Sequence, residues 1–218
     1  MNIEIAGRAI GAGEPCYVIA ELSGNHRQEL QCALDLVEAA ARAGADAVKL
    51  QLYTPDSLTI DSDMPAFRIS GGTLWDGRTL YDLYREAMTP WAWYSALAGA
   101  AADAGLACFA SAFDAESVRF LVEHDAPAYK IASFEVVDLE LVAAAAATGR
   151  PVLISTGMAR YDEIDRAVCV ARAAGNGGVA LFRCNSAYPA VSTEMDLRTL
   201  PHMRDAFDLP VGLSDHTL

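Results

Sequence analysis

Lysine is scarce in this sequence. Its 218 residues contain only Lys49 and Lys130, although Lys and Arg together number 16, so arginine supplies nearly all the positive charge. Both lysines lie in apolar, β-rich segments, "AVKLQLY" and "AYKIAS". Burying an ammonium group is costly unless a partner compensates its charge. This placement predicts that both lysines bind an anion.

Clustered positive charge and long apolar runs are also missing. The net charge of -13 argues against a nucleic-acid or anionic-membrane partner, because both need grouped Lys and Arg. No segment reaches about 18 uninterrupted apolar residues, the length typical of a membrane span. Glu4 and Arg8 fall where a signal peptide would be apolar. We therefore expect a soluble, cytoplasmic protein that does not bind membranes.

Several familiar motifs are absent. The five cysteines are odd in number and show no C-x-x-C spacing, which favours reduced packing residues over disulfides or zinc ligands. The glycine-containing segments lack the strand, turn and helix context of a dinucleotide site. No G-x-S-x-G elbow of a serine hydrolase occurs.

Apolar β-rich runs alternate with amphipathic helical stretches along the chain. This alternation is typical of βα units and a parallel sheet. The predicted strands are 16–22, 47–53, 107–113, 128–133, 151–157, 179–186 and 211–217, and the predicted helices are 28–43, 89–105, 114–124, 139–149, 160–174 and 196–207. Seven repeats without a nucleotide fingerprint favour an α/β fold, the (β/α)8 TIM barrel, with the eighth strand missing from this chain, over an open sheet.

No change of composition marks a domain boundary. We therefore expect residues 1–218 to form a single, incomplete barrel domain, in a chain shortened at its C-terminal end. One connection, residues 54–88, is much longer than the others. Such connections are usually functional, and this one follows a strand end. We interpret it as a substrate-covering loop with a short helix at 80–87; a decorative insertion is the alternative.

Polar side chains gather at the predicted carboxyl ends of the strands, where parallel α/β folds place their sites. Any one serine there is most often an ordinary loop hydroxyl. Two ammonium groups among several hydroxyls, however, make an anion site, in which lysine supplies charge and the hydroxyls direct hydrogen bonds. These residues are Glu21, Asn25, Lys49, Gln51, Ser111, Lys130, Ser133, Glu135, Ser155, Ser186, Tyr188, Ser214 and His216.

His216 is the best candidate metal ligand, because it closes the last predicted strand beside Asp215. His26, in the first loop, is a weaker candidate of the same kind. A lone histidine is more often structural, and no H-E-x-x-H or similar spacing supplies an independent signal.

Six ordered motifs resemble one protein family. "IAELSGNH", "AVKLQLYTPD", "YKIASFE", "ISTGMA", "RCNSAYPA" and "VGLSDHT" look like the sialic acid synthase (NeuB-type) family over essentially the whole chain. Within that family, "LWDGRTLYDLYREAMTPWAW" is more similar to the bacterial pseudaminic acid synthase branch than to the N-acetylneuraminate branch.

The resemblance implies a (β/α)8 barrel that condenses phosphoenolpyruvate with an open-chain N-acylated amino sugar and releases phosphate. In the pseudaminic acid branch, the sugar is a 2,4-diacetamido-2,4,6-trideoxy hexose. The positions that match the phosphoenolpyruvate site are Lys49, Ser111, Lys130, Ser133, Ser155, Ser186 and Ser214. Those around the sugar are Asn25, Gln51, Glu135 and Tyr188. Glu21, Lys49 and Lys130 match catalytic positions.

The resemblance also implies parts that this chain lacks. His216 matches one of two histidines that bind a divalent metal, manganese or magnesium, and the second lies on the family's eighth strand. A small antifreeze-like C-terminal domain completes the site of a partner subunit, which implies a homodimer. Ser111 and Ala112 stand where the family often has Thr-Pro, so the hydroxyl is kept and the rigid proline is not.

Three other functions stay open. An N-acetylneuraminate or legionaminate synthase would carry out the same chemistry on a different sugar. A Schiff-base aldolase would use a strand lysine such as Lys130 as its nucleophile. From another class, a truncated barrel without catalytic activity would still bind anions.

Overall fold

The computed structural model describes residues 2–72 and 75–218. Thr73 and Leu74 of the predicted covering loop lie outside the described residues, and Leu74 is also the first residue of the branch-specific motif. The chain forms two compact units. Val18–Ser117 is called the middle unit, and Met1–Tyr17 with Val118–Leu218 is called the terminal unit.

The described residues form nine strands and eight α-helices. The strands are β1 (Ile3–Ile5), β2 (Arg8–Ile10), β3 (Ile19–Glu21), β4 (Ala47–Leu52), β5 (Ala107–Ala112), β6 (Tyr129–Ile131), β7 (Val152–Ser155), β8 (Val179–Cys184) and β9 (Val211–Ser214). The helices are α1 (Leu30–Arg42), α2 (Pro55–Leu58), α3 (Leu80–Ala87), α4 (Tyr94–Asp103), α5 (Ala115–Glu123), α6 (Leu139–Ala147), α7 (Tyr161–Ala174) and α8 (Thr199–Phe207).

In the middle unit, β3, β4 and β5 pair in parallel in that order. Their register places Glu21 beside Lys49, and Gln51 beside Ser111. The alternate residues of β4 are buried and apolar, whereas Lys49 and Gln51 are half-buried. Side chains of a strand alternate between its two faces, so the two polar residues of β4 share one face.

In the terminal unit, β6, β7, β8 and β9 pair in parallel in that order, and β1 and β2 form an antiparallel hairpin. The first three of the parallel strands are almost wholly apolar and buried, as expected for strands covered on both faces. Among these three strands, Lys130 is the buried charge, since it is only 5% exposed in the centre of β6, whereas Arg183 of β8 is half-buried.

Local sequence explains how the helices begin. The Thr79 side chain accepts a hydrogen bond from the Asp82 N–H at 3.1 Å, and the Asp138 side chain accepts one from the Leu141 N–H at 3.0 Å. Such N-caps satisfy backbone donors that the first turn leaves free. The α3 helix begins and ends where the sequence predicted it.

The seven predicted parallel strands are confirmed, each one to four residues shorter than its apolar run. The apolar signal continues past the last ladder hydrogen bond, which explains the difference at several ends. The β1–β2 hairpin was not predicted, because three-residue strands are too short to show a period. In the described residues, no helix is long and apolar enough to cross a membrane.

Candidate active site

The terminal unit contains one group of predicted polar residues, called its polar cluster, and the lysine of β6 is the buried charge in it. The cluster consists of Lys130, Ser133, Glu135, Ser155, Ser186, Tyr188, Ser214 and His216. The Lys130 Nζ donates hydrogen bonds to the Ser155 Oγ at 2.6 Å and to the Ile131 carbonyl at 2.7 Å. It also lies 5.8 Å from the centre of the Phe182 ring, a cation–π distance. A buried ammonium group is therefore held by two oxygen acceptors and one aromatic face.

The electrostatics of this cluster are unusual. Burial lowers the pKa of Lys130 from its ordinary 10.5 to about 7, although Cys184 and Glu135 act in the opposite direction. Burial likewise raises the pKa of Glu135, against the effects of its own backbone N–H and of Lys130. Both charged forms are disfavoured by desolvation. An added anion would restore the charge of Lys130.

Two oxygen atoms of the cluster are buried without a hydrogen-bond partner among the described residues, the Glu135 Oε2 and the Ser186 Oγ. Buried polar atoms usually have a partner, so each such exception needs an explanation. A bound substrate provides one for the serine, whose hydroxyl can donate to an anion. A polar substrate hydrogen would satisfy the carboxylate of Glu135.

Gly157, just after β7, lets two of the predicted serines approach each other. Its N–H donates to the Ser133 Oγ at 3.2 Å. A Cβ at this position would lie 2.5 Å from the Ser186 Oγ and 2.8 Å from the Ser133 Oγ. A side chain at this position would force the two hydroxyls to move, so Gly157 belongs to the site although the sequence prediction did not include it.

His216 closes the terminal unit's cluster. Its Nδ1 lies 2.8 Å from the Asn185 carbonyl, which requires that Nδ1 carry the proton. Its Nε2 lies 3.1 Å from the Tyr188 hydroxyl and 3.3 Å from the Ser214 Oγ, and the Tyr188 ring stacks on the imidazole. The structure thus brings together three predicted residues, Tyr188, Ser214 and His216.

The tautomer of His216 suits a metal ligand, because ligating histidines commonly donate the other ring N–H to a carbonyl and leave Nε2 to the ion. The fit is partial, however. No group of three His, Cys, Asp or Glu that could hold an ion occurs in residues 2–72 and 75–218. In the described chain, His216 is one ligand and not a complete metal site.

The middle unit holds a second polar cluster. The Lys49 ammonium pairs with the Glu21 carboxylate, and its Nζ lies 3.4 Å from the Ser111 Oγ. The other Glu21 oxygen accepts the Ser23 N–H at 3.1 Å. Gln51 stands beside Ser111 in the strand register. The side-chain amide of Asn25 donates to the Leu22 carbonyl at 3.2 Å.

His26 does not join either cluster. It is 2% exposed, its Nδ1 accepts the Gln28 N–H at 3.1 Å, and its Nε2 lies 3.5 Å from the Thr89 Oγ1. Both ring nitrogens therefore have partners within the protein, which argues against the weaker sequence hypothesis that His26 binds a metal.

Comparison with known proteins identifies the family of this chain. The model of the NeuB family matches residues 36–218, most of the chain. The chain belongs to the NeuB family.

Two curated pseudaminic acid synthases are similar in sequence to this chain. It is 43% identical over 201 residues to a pseudaminic acid synthase of Campylobacter jejuni, a match that covers 92% of this chain and 58% of the relative. It is 40% identical over 205 residues to a pseudaminic acid synthase of Helicobacter pylori, covering 94% and 60%. The chain thus spans somewhat less than two thirds of the length of these relatives.

A solved structure supports the fold of this NeuB chain. The N-acetylneuraminic acid synthetase of Leptospira borgpetersenii, crystallised with citrate, superposes with a TM-score of 0.86 at 26% identity, covering all of this chain and 70% of that one. The predicted fold class, a (β/α)8 barrel with seven of its strands in this chain, is confirmed.

Sequence reasoning missed the lining beneath Lys130. Phe182 and Cys184 belong to β8, yet both act on the lysine of β6. Their spacing of two residues places them on one face of the strand. That spacing was visible in the sequence, but an aromatic residue and a cysteine in an apolar strand read as ordinary core.

Proposed function

We propose that this protein condenses phosphoenolpyruvate with a 2,4-diacetamido-2,4,6-trideoxy hexose to give pseudaminic acid and phosphate. The observation that carries the proposal is the buried Lys130 bonded to Ser155, with the Ser186 hydroxyl left without a partner among the described residues. The identity to two pseudaminic acid synthases favours that sugar.

The proposed roles at the phosphoenolpyruvate site follow from charge and hydrogen-bonding capacity. Lysine ammonium groups neutralise phosphate or carboxylate, and hydroxyls fix the orientation of the anion. The residues to which we assign this role are Lys130, Ser133, Ser155, Ser186 and Ser214 in the terminal unit, and Lys49 and Ser111 in the middle unit. Lys49 and Lys130 also stabilise charge as the reaction proceeds, which makes them catalytic.

The amino sugar requires acceptors and donors for its amide and hydroxyl groups. We assign that role to Asn25, Gln51, Glu135 and Tyr188. The Glu135 carboxylate has a buried oxygen with no partner among the described residues, and this oxygen can accept a substrate N–H or O–H. Its raised pKa also allows it to donate a proton.

The reaction forms a carbon–carbon bond and a carbon–oxygen bond to water, and it breaks the carbon–oxygen bond between C2 and the phosphate. The C3 carbon of phosphoenolpyruvate attacks the aldehyde of the open-chain sugar, and positive charge develops at C2. Water adds at C2, and the proton that it loses balances the one taken up by the former aldehyde oxygen. The C2 hydroxyl then gives up its proton to form the ketone, and the phosphate leaves with its bridging oxygen and that proton. Glu21 is the proposed base or stabiliser, since its carboxylate is held by the Ser23 N–H and paired with Lys49.

A divalent cation, manganese or magnesium, is part of the proposal. His216 would supply one ligand through its Nε2, since the Asn185 carbonyl holds the other ring nitrogen. When bound, such a cation would supply Lewis-acid polarisation of the aldehyde.

A direct test measures phosphate release with each sugar. We expect release that depends on the 2,4-diacetamido hexose and is at least about tenfold slower with N-acetylmannosamine, since a site built to bond an amide loses affinity when that group is missing. Equal or faster turnover on N-acetylmannosamine would assign the protein to the N-acetylneuraminate branch instead. A 2,4-diacetamido sugar of legionaminate stereochemistry tests the remaining branch.

One observation favours a second function. A Lys130 pKa of about 7 leaves a neutral amine available near neutral pH, which a Schiff-base aldolase requires. Borohydride treatment in the presence of substrate distinguishes the two reactions. A covalent adduct at Lys130 would support the aldolase, and its absence alongside sugar-dependent phosphate release would support the synthase.

We also propose a cytoplasmic location and a homodimeric assembly. The first is supported by phosphoenolpyruvate being a cytoplasmic metabolite, and the second by the family resemblance. Analytical ultracentrifugation tests the assembly, and a monomer at micromolar concentration would contradict it.

A further inference from the structure

The segment Leu22–Glu29, which joins β3 to α1 in the middle unit, has an unusual backbone. Ser23, Arg27 and Gln28 adopt φ values of 50°, 54° and 57°. Residues other than glycine seldom occupy this left-handed region, and three of them within six positions persist only if their surroundings hold them. The contacts of this segment must therefore favour this one conformation.

Gln28 provides the first of these contacts. Its side-chain Nε2 donates to the Glu86 carbonyl and to the Met88 carbonyl, each at 2.7 Å. The α3 helix ends at Ala87, and the last carbonyls of a helix have no donor within it. One glutamine amide therefore satisfies two carbonyls at the C-terminal end of α3.

His26 adds a third contact at the same helix end. The Nε2 of the imidazole lies 3.5 Å from the Thr89 Oγ1, just beyond the end of the helix, while its Nδ1 accepts the Gln28 N–H at 3.1 Å. The edge of the Trp93 ring packs against it, with ring centres 5.4 Å apart. His26 and Gln28 together contact residues 86, 88 and 89, at and just beyond the end of α3.

The backbone of the segment also lies tight against the helix. A Cβ added to Gly24 would lie 2.9 Å from the Ala87 carbonyl oxygen and 3.1 Å from the Ala87 Cβ. No other residue type fits between these two backbone segments at this point without a shift. The segment and the end of α3 are therefore closely packed as well as hydrogen-bonded.

The same segment reaches the proposed chemistry at its other end. It begins directly after Glu21, whose carboxylate accepts the Ser23 N–H, and it contains Asn25. The helix that it contacts ends the long connection between β4 and α4. Contacts at Gln28 and His26 thus link the conformation of that connection to the positions of Glu21 and Asn25.

We propose that His26 and Gln28 are positioning residues. They hold the long connection and the segment Leu22–Glu29, which contains Asn25, in one arrangement for binding the amino sugar. The idea rests on the proposed function for its substrate, but the attachment itself is independent of any activity. An ordinary C-cap would stabilise α3 without affecting sugar binding, and the two cases differ in a measurable way.

The attachment is tested by hydrogen exchange of residues 80–88. Gln28→Glu keeps the shape of the side chain but replaces the amide donor by a carboxylate that the carbonyls repel. We expect the α3 amides to exchange at least about tenfold faster, since loss of such bonds lowers the local opening free energy. Gln28→Lys, which retains N–H donors, should exchange more slowly than Gln28→Glu.

Gln31→Glu is the matched control, because the Gln31 side chain is exposed on α1 and its amide donates to Asp35 at 2.8 Å. It should leave exchange at residues 80–88 unchanged. Unchanged exchange in Gln28→Glu would overturn the attachment, whether or not the protein is an enzyme.

The positioning role is tested by kinetics on the same variants. Gln28→Glu should raise KM for the 2,4-diacetamido hexose about fivefold or more, and leave KM for phosphoenolpyruvate within about twofold, since weakened positioning acts on one substrate only. Faster exchange with an unchanged sugar KM would show that Gln28 only caps the C-terminal end of α3, and it would overturn the proposal. A wild-type protein without sugar-dependent phosphate release would instead refute the proposed function, and the exchange result would still decide the attachment.

Discussion

At the scale of single residues, the scarcity of lysine was informative because burial makes charge costly. The sequence predicted two lysines on strands with hydroxyls nearby, and the structure places a serine hydroxyl next to each one. Lys49 has an acidic partner in Glu21, whereas Lys130 is held by neutral acceptors and an aromatic ring. Residue types revealed the charges, but only the fold reveals that Lys49 is paired with a carboxylate and that Lys130 is bonded to neutral acceptors among the described residues.

Lys130 gives a pH prediction with opposite signs for stability and binding. Its pKa is lowered to about 7 in the fold from an ordinary 10.5. Its contribution to the free energy of unfolding therefore rises between about pH 7 and pH 10.5 and is smallest below pH 7. Anion binding needs the ammonium form, so phosphoenolpyruvate affinity should fall by up to about tenfold per unit above pH 7.

Calorimetric titration from pH 6 to pH 9 checks this prediction, with Lys130→Met as the comparison. The variant should bind phosphoenolpyruvate at least about tenfold more weakly at pH 6.5 and lose the decline above pH 7, since a charged contact is removed. Equal affinity in wild type and variant would show that Lys130 does not contact the anion.

Glu21 gives a second prediction at this scale. Glu21→Gln retains the shape and the contact with Ser23 but loses basicity, so turnover should fall about 100-fold or more while phosphoenolpyruvate still binds. Glu4→Gln, an exposed change on β1, is the control and should have no effect. Near-normal turnover of Glu21→Gln with intact binding would remove Glu21 from the mechanism.

At the scale of secondary-structure elements, two glycines differ in what surrounds them: Gly157 lies beside the proposed anion site, and Gly99 is exposed on a helix. Gly157 is flanked by two serine hydroxyls that a Cβ would strike, whereas Gly99, in the exposed part of α4, has nothing within 4 Å of an added Cβ. Neither residue has a positive φ. An alanine at each position therefore differs in its surroundings and not in backbone strain.

The pair makes a matched experiment. Gly99→Ala should raise the free energy of unfolding by about 0.5–1 kcal/mol, because alanine favours the helix, and should leave activity unchanged. Gly157→Ala should weaken phosphoenolpyruvate binding about tenfold or more by displacing Ser133 and Ser186, since a misplaced group costs heavily in such sites. Chemical denaturation and calorimetry measure both. Undiminished binding in Gly157→Ala would place the two serines outside the anion site.

Some of this could be predicted from the elements of the sequence and some could not. Strand order and α3 followed from apolar runs, caps and turn residues, which act locally. The contact of Phe182 with Lys130 joins residues 52 positions apart, and the attachment of Gln28 to α3 joins residues 58 and 60 apart. Local periodicity carries no information on such contacts.

At the scale of the whole molecule, family membership and the polar clusters support the same reaction. The NeuB match covers residues 36–218, and within it each unit contains one lysine bonded to a serine hydroxyl. The single-domain prediction for residues 1–218 stays a prediction, and so do the metal and the homodimer.

The most direct test is phosphate release in water enriched in ¹⁸O, with phosphoenolpyruvate, the 2,4-diacetamido hexose and manganese present. Mass spectrometry of the released phosphate reports which bond breaks. Water addition at C2 predicts phosphate that appears only with the sugar and carries no ¹⁸O, since its bridging oxygen comes from phosphoenolpyruvate. Phosphate that contains ¹⁸O, or that appears at the same rate without sugar, would contradict the account.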